Sequence, residues 1–79
     1  MHKNVIGQTA GKVWKVLGTQ GRIALTTLPK LMDADVFTVQ QAVGWLARED
    51  KVAFEKQGRA LYVKLTVPEA EAHKRSNGR

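Results

Sequence analysis

Residues 38–65 read TVQQAVGWLAREDKVAFEKQGRALYVKL, and within them the hydrophobic period changes once. In the first half Val39, Ala42, Val43 and Leu46 recur at three- and four-residue steps, which stacks them on one face of a helix. In the second half Leu61, Val63 and Leu65 alternate with Ala60, Tyr62 and Lys64, the two-residue period of a strand with one buried and one wet face. Residues 52–56 supply the preceding strand, and Gln57-Gly58 the turn, where glycine provides the positive φ of a tight hairpin. Thr38 and Gln41 stand at capping-box spacing, so the helix is expected to start at Thr38; Glu49-Asp50-Lys51 ends it. A capped helix thus passes through a charged corner into a two-stranded ribbon.

Working outward, Ile6, Ala10, Val13 and Leu17 form the core face of an earlier helix over 5–17. Beside them runs a stripe of Gly7, Gly11, Trp14 and Gly18. An interior glycine costs roughly 1 kcal/mol relative to alanine, so the stripe asks for a close neighbour. Either Gly11 admits another element of the same domain and Gly18 ends the helix, or two subunits approach at the glycines with Trp14 filling the gap. Gly21 then breaks the pattern, and Arg22-Ile23-Ala24-Leu25 has the length of a short strand that pairs with the hairpin. Thr26 or Thr27 caps a short helix reaching Leu31 or Met32, with Pro29 in its first turn and Leu28 and Leu31 toward the core. Asp33-Ala34-Asp35 is the turn that follows. Beyond the hairpin, Thr66, Pro68 and Glu69 open a brief helix over 67–74. Its apolar anchors are only Val67, Ala70 and Ala72, so fraying is expected, with 76–79 disordered.

Three helices, a short strand and a C-terminal hairpin make an α+β winged helix-turn-helix over residues 1–66, followed by a frayed helix and basic tail over 67–79. A chain of 79 residues sits near the lower limit for a single unstapled core. It has no cysteine, which excludes disulfides and thiolate metal sites. No apolar run approaches the roughly 20 residues of a membrane span, and the first residues lack the apolar segment of a secretory signal, so a cytoplasmic location is expected. His2 and His73 stand at opposite termini, and Asp33 and Asp35 lack further metal ligands. With no phosphate-cradling loop either, neither an enzyme nor a cofactor is expected.

The formal net charge of +6 favours a polyanionic partner. Its distribution is uneven. Residues 1–32 carry Lys3, Lys12, Lys15, Arg22 and Lys30 with no acid, whereas within 33–50 Arg48 alone faces Asp33, Asp35, Glu49 and Asp50. The hairpin is basic again through Lys51, Lys56, Arg59 and Lys64 against Glu55. If the 38–49 helix enters a groove of double-stranded DNA, Gln40 and Gln41 are candidates for adenine contacts and Arg48 for phosphate or guanine. Lys56 and Arg59 flank the tip of the wing, 52–65, where they would meet the phosphate backbone. Gly44 and Trp45 point elsewhere. The indole either closes the core against the hairpin or stands exposed beside a residue without a side chain, the composition of a protein-interaction surface. Gly7, Gly11, Trp14, Gly44 and Trp45 are accordingly the candidates for a homodimer or other protein interface, the alternative to DNA binding.

The segments GKVWKVLGTQGRIALTTLPK and AVGWLAREDKVAFEKQGRALYVKL resemble a group of small, stand-alone bacterial and archaeal winged-helix proteins of uncharacterised function. The resemblance runs from Gly7 to Leu65 and rests on G-x-V-W near the start and G-W-L-A-R-E-D-K before the wing. It implies a helix-helix-helix-hairpin fold with a short first strand, and a homodimer.

Overall fold

The glycine that stops the first helix is Gly21, not Gly18. In the computed structural model, which describes residues 3–77, α1 spans Lys3–Gln20. Gly21 then takes φ 80° and donates its N–H to the Leu17 carbonyl at 2.9 Å, a left-handed stop that a residue without Cβ adopts freely. β1 (Ile23–Ala24), α2 (Leu28–Met32), α3 (Val36–Arg48), β2 (Val52–Gln57), β3 (Ala60–Leu65) and α4 (Val67–Asn77) follow. The expected strand after Gly21 joins the sheet, which is antiparallel throughout with the order β1-β3-β2; Val63 sits between Ile23 and Phe54.

Two turns differ from expectation by local competition. α3 begins at Val36 because Asp35 is its N-cap: Asp35 Oδ2 accepts from the Thr38 N–H at 2.9 Å and from Thr38 Oγ1 at 3.1 Å. The hydroxyl of Thr38 is thereby engaged at the third helical position, and no capping box with Gln41 forms. At the ribbon tip Gln57 pairs with Ala60, so the connection is Gly58-Arg59, with Gly58 at φ 62° as its first residue.

One core joins the layers. Ala10, Val13 and Leu17 of α1 and Leu28 of α2 meet Val39, Ala42, Val43 and Leu46 of α3 and Ile23, Val52, Val63 and Leu65 of the sheet. Leu31 is 48% exposed, because the inner side of the five-residue α2 is occupied by Leu28 and Pro29. Leu61 is also exposed, as is Phe54 on the same sheet face: both lie toward the tip, where the ribbon extends past the helices that cover Val63 and Leu65.

α4 reaches Asn77, beyond the 67–74 expected, and it does not dock through Val67 or Ala70, both of which are exposed. His73 is its anchor, buried in an edge-to-face contact with Trp14 at a centroid separation of 5.0 Å. The Trp14 indole N–H also donates to Glu69 Oε1 at 2.8 Å. Gly18 is the seat for this anchor, since a Cβ there would overlap the His73 ring. Gly11, by contrast, has nothing within 4 Å of a Cβ position, so none of the described elements packs closely on it. Gly78 and Arg79, in the tail expected to be disordered, lie outside the described residues.

The two glycines therefore predict opposite signs. Gly18→Ala should destabilise the protein by about 1–3 kcal/mol in urea melts and alter Trp14 fluorescence as α4 is displaced. Gly11→Ala should stabilise the isolated protomer by roughly 1 kcal/mol when the melt is run at protein concentrations too low for association. Removing the cap with Asp35→Ala should cost about 1 kcal/mol in the same assay.

Candidate nucleic-acid interface

With Val39, Ala42, Val43 and Leu46 turned inward, the 3.6-residue period sends Phe37, Gln41, Gly44 and Arg48 to the opposite side of α3, flanked by Gln40 and Trp45. Gln40, Gly44 and Arg48 are exposed. Gln41 is only partly so: its Oε1 is closed off from solvent and has no hydrogen-bond partner among the described residues. Of the two amides nominated from the sequence, Gln40 is the one standing free. The first turn adds Val36 and Phe37, 55% and 59% exposed, which the sequence reading missed by starting the helix at Thr38. Asp35, three residues before Thr38, is a capping residue too and was the competing signal in the sequence.

The cations divide by partner. Arg22 sits at the edge of the sheet's outer face, 3.0 Å from Glu55 and 2.8 Å from Gln57, with its guanidinium 4.4 Å from the centroid of the Tyr62 ring. Lys64 reaches the same Glu55 at 3.5 Å. These side chains are well exposed, so the pairs add little stability, and one carboxylate shared by two cations only partly offsets their charge. Lys56 and Arg59 at the tip are exposed and have no ion partner among the described residues. Strand alternation puts Lys56 with Val52 and Phe54 on the helix-side face of the ribbon. The Arg22 network spans 33 residues and depends on the pairing of β1 with β3, a register that composition does not specify.

A second surface gathers the interface candidates. Gly7, Gly11, Trp14 and Trp45 line one groove of about 390 Å³, with Lys15, Lys51 and Glu69 among the residues at its walls. Gly44 is not among its lining residues. Trp45 is 44% exposed, so it does not close the core. Gly7, like Gly11, is open above its backbone. Among the described residues no helix is long and apolar enough to cross a membrane, and no three His, Asp or Glu side chains cluster as metal ligands do.

Known proteins resemble this chain in sequence and in fold. The family model of the winged helix-turn-helix domain DUF2582 matches residues 1–65. MJ1608, an uncharacterised protein of Methanocaldococcus jannaschii, is 36% identical over 63 residues, which is 76% of this chain and 89% of that protein. The solution structure of BT2368 from Bacteroides thetaiotaomicron superposes with a TM-score of 0.74 at 35% identity, covering 82% of this chain and 79% of the other. The adhesin competence repressor AdcR of Streptococcus pyogenes matches at a TM-score of 0.69 and 26% identity, over 89% of this chain and 56% of its own. Lactococcus lactis ZitR, at a TM-score of 0.80 and 13% identity over 92% of this chain and 57% of its own, shares the fold alone. Sequence and structure together therefore make this chain a member of the DUF2582 winged helix-turn-helix domain family.

Proposed function

We propose that this protein binds double-stranded DNA as a transcription regulator, with α3 in the major groove and the β2–β3 wing on the backbone. The observation that carries the reading is the pair of exposed cations at the end of the ribbon, Lys56 and Arg59, neither of which has an ion partner among the described residues, whereas Lys64 is paired with Glu55. In this reading they contact phosphates, displacing condensed counterions, and so supply affinity without sequence preference. Gln40 and Arg48 on α3 meet base edges or nearby phosphates. The likeness to AdcR, a repressor, supports the same reading. Replacing both Lys56 and Arg59 with glutamine should weaken duplex binding and lower the slope of log K against log salt by about two, with an unchanged circular dichroism spectrum. Failure of the unmodified protein to bind any duplex at low salt would overturn the proposal.

One observation favours homodimerisation as a second property. Gly7, Gly11, Trp14 and Trp45 are brought to a single groove, and the helix carries two glycines there with no close neighbour among the described residues to account for them. A second copy seated on that groove gives them one, and a two-fold dimer would present two recognition helices to paired half-sites. Sedimentation should show a dimer that Trp45→Ala dissociates, with Trp45 fluorescence shifting on dilution. A monomer at every concentration would remove this reading and leave the first intact.

A further inference from the structure

The outward face of α3 is unusual for a surface that meets a polyanion, because its first turn is apolar. Val36 and Phe37 are each more than half exposed, Gln40 lies one turn on from them, and Gly44 follows one turn later with open space where a side chain would be. An exposed phenyl ring in the first turn of a surface helix contributes nothing to the core. A protein partner's apolar groove would call for the apolar character to continue along the helix at i+3, i+4 and i+7. It does not: past Phe37 the outward positions are Gln40, Gln41, Gly44 and Arg48. An apolar tip followed by an amide and then a bare backbone instead matches the major-groove edge of A·T pairs. There the thymine C5-methyl is the one apolar feature, and adenine N6 and N7 form the donor-acceptor pair that an amide side chain completes.

Resting on the DNA-binding reading, we infer that Phe37, with Val36 beside it, packs on thymine methyl groups while Gln40 reads the adjoining adenine, and that Gly44 lets the helix backbone approach the groove floor. The target is then duplex DNA with A·T pairs at its centre, and the base contacts are made by a helix that depends on the wing for most of its charge.

Selection of binding sites from random duplex DNA by the full chain, followed by substitution of deoxyuridine for thymine one position at a time, tests this. The substitution deletes a methyl group and leaves base pairing unchanged. The selected sites should share an A·T core, and deoxyuridine at one or two of its positions should weaken binding roughly three- to fivefold in fluorescence anisotropy, the worth of one buried methyl. The Phe37→Ala protein, whose altered residue is outside the core, should bind thymine and deoxyuridine duplexes alike. Intact binding with no A·T core, or with equal affinity for both bases at every position, would overturn the methyl contact while leaving DNA binding standing. Absence of duplex binding would remove both. A Phe37→Ala variant that keeps the thymine preference but changes its sedimentation would assign the apolar turn to a protein neighbour and likewise overturn the inference.

Discussion

Val39, Ala42, Val43 and Leu46 of α3 are buried in one cluster with Ala10, Val13 and Leu17 of α1, and a helix pinned along one face has no freedom left to rotate. Burial of each larger side chain is worth about 1.5–3 kcal/mol, so turning α3 to present another face would sacrifice several such terms at once. The orientation of Phe37, Gln40, Gly44 and Arg48 follows from that packing. The sheet depends on it too: Val52, Val63 and Leu65 complete the same core, and the ribbon projects beyond it because the helices end first.

The elements that bury a periodic face were legible from the residues. The α3 core positions, the first-helix core face at Ala10, Val13 and Leu17, the short strand after Gly21 and the hairpin all followed from spacing. What was not legible were contests between neighbours and contacts across the chain. Asp35 and Thr38 both have side chains able to cap, and only the backbone entering α3 decides that Asp35 does so. That error hid Val36 and Phe37, and with them the apolar part of the candidate site. α4 looked weak because its alanines were taken as anchors, whereas a histidine packed on tryptophan and glycine holds it. Leu31 and Leu61 fit their periods but lie where the core has run out.

The structure separates two surfaces that the sequence left interleaved. Trp45 and Gly44 are adjacent in the chain, yet the indole faces the α1 groove with Trp14, while Gly44 belongs to the outward face of α3. The proposed DNA contact and the proposed association between copies therefore use different residues. Charge divides in the same way. Arg22 and Lys64 are held by Glu55 on the outer sheet face, and the free cations of the ribbon are at its tip.

The most direct test of the central claim is a titration of the isotopically labelled protein with mixed-sequence duplex DNA across a salt series, followed by backbone amide shifts. The account predicts salt-dependent shifts concentrated in residues 36–48 and 56–59, with the α1 groove unperturbed. Shifts confined to the groove around Trp14 and Trp45, or none at low salt, would contradict it.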